Sequence, residues 1–233
     1  VIINDIVTSR AEKVAKEAEV LGVKALPITA DVKNLDQVNS MIKKAIDEFG
    51  KVDILVNNAF VGDATPFSKS IIKDWEGPLQ VCLYGTLYCS KAIINHMISR
   101  KYGKIINLIS DAARVGEPWA PIYSTAKAGI LAFSKSLAKE VGRYTINVNC
   151  VSPGATNTEE SLRRQKALWD SAKTEEEQAR VKEREKKKLK LYPLGRLGLP
   201  EDIANMIVYL GSDRCSWITG QAISVDGGYC MVS

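Results

Sequence analysis

Short β-branched runs alternate along the chain with longer segments whose apolar residues recur every three or four positions. The short runs show little alternation of apolar and polar residues, which is typical of strands that are buried on both faces of a sheet. The pattern therefore predicts strands at residues 1–4, 24–28, 53–56, 104–109, 146–151 and 222–225.

The longer segments predict amphipathic helices between these strands. In the second of them, apolar residues from Leu35 to Phe49 trace one helix face, and Asp31 or Asn34 supplies the polar residue that starts a helix. Repetition of strand, helix and strand implies one α/β domain with a parallel sheet and helices on both faces. The predicted helices are 9–21, 34–49, 75–100, 122–142 and 200–210.

The segment 158–192 interrupts this rhythm because it is highly charged, with a mixed run from Lys182 to Lys188. Such a segment is usually a solvated surface, but its position between a late strand and the last helix also fits a substrate-covering lid. The basic residues are interleaved with Glu183 and Glu185 and lack aromatic neighbours, so we predict no nucleic-acid partner.

Composition narrows the functional classes. The 233 residues are 45% hydrophobic and 25% charged, which is ordinary for a soluble globular domain. No run approaches the roughly 18 apolar residues needed to cross a bilayer, and the start has no signal-peptide pattern, so we predict no membrane partner. The net charge of +5 fits an anionic cofactor or substrate.

The cysteines are odd in number and scattered, without a C-x-x-C pair, and His96 is the single histidine. This usage predicts buried free thiols in a reducing cytoplasm, and it predicts no metal site. The cysteines are Cys82, Cys89, Cys150, Cys215 and Cys230.

Candidate acid–base chemistry lies in Tyr123 and Lys127, which are four residues apart in a predicted helix and so share one face. A nearby cation favours tyrosinate and should lower the tyrosine pKa from its usual value near 10, as general acid–base catalysis requires. Ser110 follows the strand at 104–109, at the carboxyl edge where open α/β sheets bind ligands. Its hydroxyl could stabilise charge on a substrate oxygen.

Taken together, an ordered set of motifs across the whole chain resembles the short-chain dehydrogenase/reductase family, whose fold is a Rossmann-type doubly wound parallel sheet. The spacing from Tyr123 to Lys127 argues against the enoyl-reductase branch of that family. The matching motifs are Asp31-Val32, Asn57-Asn58-Ala59, Ser110 with Tyr123 and Lys127, Pro153-Gly154 with Thr158, Pro193-Leu194-Gly195-Arg196, Ile218-Thr219-Gly220-Gln221 and Val225-Asp226-Gly227-Gly228.

The resemblance implies a role for each matched residue. Tyr123 would be the general acid/base, Lys127 would lower its pKa and hold the nicotinamide ribose, and Ser110 would position the substrate oxygen. Asp5 matches the acid that holds the adenosine ribose hydroxyls, so NAD is favoured over NADP. The remaining cofactor contacts would be Asp31 and Val32 near the adenine, Asn58 and Ala59 on the adenosine side, and Pro153, Gly154, Thr156 and Thr158 around the nicotinamide.

Three departures from the family pattern stand out. The chain begins at what should be the second strand, so we expect a first strand, glycine-rich loop and first helix of roughly 30 residues to be missing from the sequence. Cys82 stands where the family carries an asparagine of the proton relay, and Phe60 stands where it carries glycine. These departures support an alternative function, a catalytically inactive partner subunit of an active paralogue.

Substrate and assembly follow from weaker resemblances. Residues 110–116 resemble hydroxyacyl-CoA dehydrogenases of alicyclic and aromatic acids, and Arg114 would pair with a substrate carboxylate. We therefore predict an NAD-dependent oxidoreductase acting on a secondary alcohol or ketone, with a hydroxyacyl-CoA as a candidate substrate. Family members pair two long helices into dimers or tetramers. Apolar residues on more than one face of 75–100 and 122–142 agree with this, namely Ile93, Ile94, Ile130, Leu131 and Phe133.

Overall fold

A computed structural model describes residues 1–62 and 65–232 and has alternating strands and helices. The predicted strands are all present, with ends that differ by one or two residues from the sequence pattern. They are β1 (Ile2–Asp5), β2 (Leu26–Thr29), β3 (Ile54–Asn57), β4 (Gly103–Leu108), β5 (Ile146–Pro153) and β6 (Ala222–Val225).

The predicted helices are present as well, and the charged segment adds two more. At the start of the second helix, the Asn34 side chain accepts a hydrogen bond from the Gln37 N–H at 3.1 Å, so Asn34 rather than Asp31 is the cap. The helices are α1 (Thr8–Val20), α2 (Leu35–Phe49), α3 (Ile72–Gly77), α4 (Gly85–Arg100), α5 (Ala112–Val115), α6 (Pro121–Val141), α7 (Glu159–Ser171), α8 (Glu175–Leu189) and α9 (Pro200–Gly211).

All strand pairs among the described residues are parallel, which confirms the predicted sheet type. They form a two-stranded sheet, β1–β2, and a four-stranded sheet in the order β3–β4–β5–β6. The first pair corresponds to strands 3-2 of the doubly wound order, and β3–β4–β5 corresponds to its strands 4-5-6. β1 and β3 are therefore sheet edges within the part of the chain that the structure describes.

One hydrophobic core joins the two sheets. Its buried residues come from β2, α2, α4, β4, the end of α6 and β5, so α2 and α4 pack together across the space between the sheets. Val38 and Met41 on α2 belong to the same cluster as Ile93 and Met97 on α4. The buried surface they share makes the two sheets parts of one domain.

The helix predicted at 75–100 differs from the one observed. α3 and α4 are joined by a π-helical segment, Pro78–Tyr84. Pro78 has no N–H to give to the helix, which favours a local change of hydrogen-bond pattern. The helix then passes close to the turn after β2, because a Cβ on Gly85 would lie 2.8 Å from Val32 Cγ2. The sequence signal for the interruption was Pro78.

Some of the apolar residues that suggested a subunit-pairing surface on the two long helices lie inside the protein. Ile93, Ile94 and Ile130 lie in the cores of the chain itself, so they do not mark a surface for a partner. The prediction from these three residues was wrong because a helix packed between other elements is apolar over a wide arc. Leu131 and Phe133 are partly exposed.

The predicted free thiols are confirmed, since all five cysteines are buried and unpaired. Among the described residues, no helix has both the length and the apolar character needed to cross a membrane.

Close packing of α4 on β4 gives a stability prediction. A Cβ on Gly103 would overlap Met97, lying 2.8 Å from its Cγ, and Met97 is fully buried. We expect Gly103→Ala to lower the free energy of unfolding by about 1–3 kcal/mol, as overpacking does. Denaturant titration followed by circular dichroism measures it.

Gly142→Ala is the matched control. Gly142 has helical dihedral angles (φ −56°) and no atom within 4 Å of an added Cβ. We expect this change to be neutral or to stabilise the protein by about 0.4–1 kcal/mol through the unfolded state. Equal effects of the two substitutions would contradict the packing described for Gly103.

Candidate active site

Ser110 lies just beyond the carboxyl end of β4, the central strand whose six residues are all buried. Its Oγ accepts a hydrogen bond from the Ala112 N–H at 3.3 Å, at the start of α5, and it is close enough to the Tyr123 phenol to lower the pKa of that group. The turn therefore holds the serine hydroxyl against the tyrosine at the edge of the sheet, as the sequence predicted.

Tyr123 and Lys127 lie on one face of α6, and the Lys127 Nζ is 5.7 Å from the centre of the Tyr123 ring. Lys127 is only 2% exposed. Its ammonium donates a hydrogen bond to the Leu108 carbonyl at 2.6 Å, at the end of β4. This bond fixes α6 against β4, and it brings the three predicted catalytic residues together.

The pKa of Tyr123 differs from the expectation. Burial, together with the nearby Cys82, raises the pKa of Tyr123 to about 12, and the hydrogen bond from Ser110 lowers it only partly. The prediction that Lys127 sets a lowered pKa was wrong for this arrangement, because desolvation of the phenolate outweighs the other effects. Burial also lowers the pKa of Lys127. At neutral pH the Tyr123 phenol therefore carries its proton and can act as an acid.

A buried pair that the sequence did not reveal supports the serine turn. Asp111 is 2% exposed, and its Oδ1 accepts a hydrogen bond from the Ser152 Oγ at 2.8 Å. Burial raises the pKa of Asp111 to about 7. The pair links the ends of β4 and β5 beside Ser110. The available signal was a charged residue three positions after the end of a continuously buried strand.

On the opposite side of the site, Asp5 ends β1. Its Oδ1 accepts a hydrogen bond from the Val7 N–H at 2.8 Å, which closes the turn before α1. Its second carboxylate oxygen has no hydrogen bond within the described part of the chain. Asp31 Oδ1 accepts from the Lys33 N–H at 3.0 Å, and its Oδ2 lies 3.5 Å from the Lys33 Nζ.

The other predicted adenosine contacts lie in the turns after β2 and β3. The Val32 side chain packs against Gly85, and Asn58 and Ala59 are exposed. Asn57, which precedes them, is buried, and its amide donates to the Asn107 Oδ1 at 2.8 Å. Asn57 thus anchors the end of β3 to β4. The exposed Asn58 and Ala59 come directly after this anchored residue.

The predicted nicotinamide contacts follow β5. Pro153 ends the strand, and Gly154 touches Asp226 so closely that a Cβ would lie 2.9 Å from its Cα. The Thr156 hydroxyl donates to the Gly154 carbonyl at 3.1 Å. Thr158 caps α7, accepting the Ser161 N–H at 3.1 Å. These residues form one continuous strip after β5. The Thr158 hydroxyl, however, is already used as the cap of α7.

Cys82 connects the loop after β3 to the π-helical segment through hydrogen bonds. It is fully buried, its Sγ accepts the Val61 N–H at 3.4 Å, and its thiol donates to the Val61 carbonyl at 3.5 Å. Its own carbonyl accepts the Thr86 hydroxyl at 2.7 Å. Cys82 therefore holds the loop after β3, whose Phe60 is 61% exposed, against the π-helical segment.

Arg114 does not point freely into the cleft. Its guanidinium donates to the Ser224 Oγ at 2.6 Å and to the Val232 carbonyl at 2.9 Å. Binding a substrate carboxylate would require Arg114 to leave these partners. That role stays a prediction.

The charged segment 158–192 folds into α7 and α8, and neither helix has a buried residue among those described. The two helices touch each other through the Gln165 amide, which donates to the Glu185 carboxylate, and through Lys182, which lies 5.2 Å from the centre of the Trp169 ring. Such a hairpin fits a lid as well as a solvated surface, so both interpretations stay open.

Comparison with known proteins agrees with this geometry. A family model described as "Enoyl-(Acyl carrier protein) reductase", from the short-chain dehydrogenase/reductase family, matches residues 1–230. Its description names an enoyl reductase, so the argument against that branch from the Tyr123 and Lys127 spacing stays a prediction.

Similar curated proteins carry several activities. The chain is 37% identical over 228 residues to the (2S)-[(R)-hydroxy(phenyl)methyl]succinyl-CoA dehydrogenase subunit BbsD of Thauera aromatica, covering 98% of this chain and 85% of that protein. It is 34% identical to a 3-oxoacyl-[acyl-carrier-protein] reductase of Synechocystis, covering 96% and 83%. It is 36% identical to galactitol 2-dehydrogenase of Agrobacterium fabrum, covering 99% and 88%. With a family match along nearly its whole length, the chain belongs to the short-chain dehydrogenase/reductase family of oxidoreductases.

Proposed function

We propose that this protein is an NAD-dependent dehydrogenase that interconverts a secondary alcohol and a ketone, with a hydroxyacyl-CoA ester as substrate. The observation that carries the proposal is the grouping of Ser110, Tyr123 and the buried Lys127 at the carboxyl edge of β4. A bound nicotinamide would supply the hydride for ketone reduction and accept it in the reverse direction.

The side chains divide the proton chemistry between them. Ser110 would donate a hydrogen bond to the substrate oxygen, which would stabilise negative charge as it develops there. Tyr123, whose pKa is raised to about 12, holds the proton that the oxygen needs during reduction. Lys127 uses one N–H on the Leu108 carbonyl, which leaves two donors for a ribose or a water.

The residues at the end of β1 fit an adenosine ribose. Asp5 has one carboxylate oxygen with no hydrogen bond in the described residues, and it can accept from ribose hydroxyls. The Oδ1 of the neighbouring Asn4 is buried and accepts no hydrogen bond from the described residues. A carboxylate at this place repels a 2′-phosphate, which supports NAD over NADP.

The substrate class rests on the relatives. Two of those named above act on thioesters of acyl carriers, as their names state, and the third acts on a polyol. The net charge of +5 favours an anionic substrate such as a CoA ester. We propose that α7 and α8, the helical hairpin of the charged segment, cover this substrate as a lid. Five reduced thiols support a cytoplasmic location.

A second candidate function is a partner subunit that binds an active paralogue and does not itself turn over. The name of the Thauera aromatica relative includes the word subunit, which supports an assembly of different chains. Cys82 also supports it, because the thiol and the carbonyl are both committed to structure. The intact set of Ser110, Tyr123 and Lys127 favours the enzyme.

Removing the Tyr123 hydroxyl tests the catalytic assignment. We expect Tyr123→Phe to lower kcat by about 100-fold or more, because the hydroxyl that exchanges a proton with the substrate oxygen is lost. Steady-state NADH absorbance with the purified protein and a hydroxyacyl-CoA measures it. Tyr209→Phe changes an exposed tyrosine of α9, and this matched control should keep wild-type kcat. Near-normal turnover by Tyr123→Phe would remove Tyr123 from the chemistry.

Cofactor choice is tested at Asp5. We expect the protein to bind NADH more tightly than NADPH, and Asp5→Ala to narrow that difference because the repulsion of the 2′-phosphate is removed. Fluorescence titration with each nucleotide measures both affinities. Glu12→Ala removes a similar charge from an exposed position on α1 and should leave the preference unchanged. Tighter NADPH binding by the unmodified protein would refute the assignment.

Assembly separates the two candidate functions. We expect the protein alone to form dimers or tetramers, since family members of this kind are symmetric oligomers. Light scattering at micromolar concentration measures the mass. A monomer that turns over only after a related subunit is added would favour the partner-subunit function instead.

A further inference from the structure

Two carboxylates and a thiol from three separate segments of the chain lie close together beside the turn that carries Ser110. Asp111 follows β4, Asp226 follows β6, and Cys230 lies in the chain's last residues. One ligand atom of each lies within 4.8 Å of the others. Asp111 and Cys230 are buried, and Asp226 is partly buried, so the cluster differs from an exposed acidic patch.

Asp111, a member of this cluster, has an unmet hydrogen-bond requirement. The side chain is 2% exposed, its Oδ1 accepts from Ser152, and its Oδ2 has no hydrogen-bond partner among the described residues. An ionised carboxylate oxygen that is buried without a donor or a cation is unfavourable because it loses its hydration. The Asp111 oxygen is therefore satisfied either by its own proton, since burial raises the pKa of Asp111 to about 7, or by a cation that contacts Oδ2.

No positively charged side chain of the described residues meets that need. Neither Asp111 nor Asp226 has an ion pair within 4 Å among them. The nearby Arg114 gives its guanidinium N–H groups to the Ser224 hydroxyl and the Val232 carbonyl. The two carboxylates therefore share a buried region without a protein cation in contact.

The other two groups are held in place by the backbone. The Asp226 carboxylate accepts the Gly228 N–H at 2.9 Å and the Cys230 N–H at 2.8 Å. Gly227 and Gly228 have positive φ angles of 63° and 89°, which let the chain reverse and return Cys230 to Asp226. Supporting hydrogen bonds of this kind orient metal ligands in proteins.

The ligand types select the cation. Magnesium and calcium prefer six or more oxygen ligands, whereas zinc takes four ligands from nitrogen, oxygen and sulfur. In a tetrahedral zinc site the ligand atoms lie about 3.3–3.8 Å apart, given Zn–O of about 2.0–2.2 Å and Zn–S of about 2.3 Å. Small side-chain rotations suffice to reach this spacing from within 4.8 Å.

We propose that Asp111, Asp226 and Cys230 bind a zinc ion, with a water as the fourth ligand. On binding, the Cys230 thiol gives its proton to solvent and coordinates as the thiolate. The ion contacts the Asp111 oxygen that lacks a partner, and it ties the end of the chain to the turn that carries Ser110. Its role is therefore structural and separate from hydride transfer.

Metal binding by the purified, chelator-treated protein tests the proposal without any use of turnover, so its outcome is independent of the proposed function. We expect isothermal titration with zinc to give one ion per chain, and excess magnesium to leave that binding unchanged. Cobalt in place of zinc should give a near-ultraviolet thiolate-to-metal absorption band, which Cys230→Ser should remove.

Variants distinguish this site from adventitious binding. Asp111→Asn, which keeps the shape and the oxygen that accepts from Ser152, and Cys230→Ser should both lose zinc binding while circular dichroism stays native. Ser152→Ala removes only the support of Asp111 and should weaken zinc binding by about 10–100-fold. The controls Cys215→Ser and Asp36→Asn change a buried thiol and an exposed carboxylate outside the cluster and should bind as wild type.

Two results would overturn the proposal. The first is no zinc bound by the unmodified protein, which would leave the Asp111 oxygen to be satisfied by its own proton. The second is zinc bound equally well by Asp111→Asn and Cys230→Ser.

Discussion

The hydrogen bond from the Lys127 ammonium to the Leu108 carbonyl is the interaction on which the site depends. The ammonium is almost fully buried, so it requires a strong acceptor, and the carbonyl at the end of β4 supplies one at 2.6 Å. The bond sets the position of α6 along β4. Tyr123, one turn earlier on α6, then meets Ser110, which lies two residues beyond Leu108.

Buried polar pairs extend this alignment across the sheet. The Asn57 amide joins β3 to β4 through Asn107, whose own amide donates to the Ser134 hydroxyl of α6 at 2.8 Å. Ser152 joins the end of β5 to Asp111. Each pair satisfies groups that would otherwise be buried without partners, so sliding one element along another would break several hydrogen bonds at once. The strand ends that carry the site are held in a single register for this reason.

Features that depend on local spacing were predictable from the sequence, and features that depend on burial or distant contacts were not. The four-residue spacing of Tyr123 and Lys127 and the position of Ser110 after an apolar run predicted that these three residues lie together, as they do. The upward shift of the Tyr123 pKa was not predicted, because desolvation of the phenol depends on packing from several elements. The meeting of Asp111, Asp226 and Cys230 was missed because metal motifs are recognised by short spacings, and these residues come from three separate segments.

Ser110, Tyr123 and Lys127 are held by contacts between α6 and β4, whereas the last described residues contact the segment that contains α7 and α8. There the Tyr229 hydroxyl donates to Glu117 at 2.6 Å, and the Tyr229 ring stacks on Tyr192 with centres 5.2 Å apart. Tyr192 closes the segment that contains α7 and α8, and its hydroxyl accepts the Ala155 N–H at 3.2 Å. A displacement of that helical hairpin would therefore act on the chain's last residues and on the strip after β5 together. The Lys127–Leu108 bond shares no residue with these contacts, so the alignment of α6 on β4 does not depend on them.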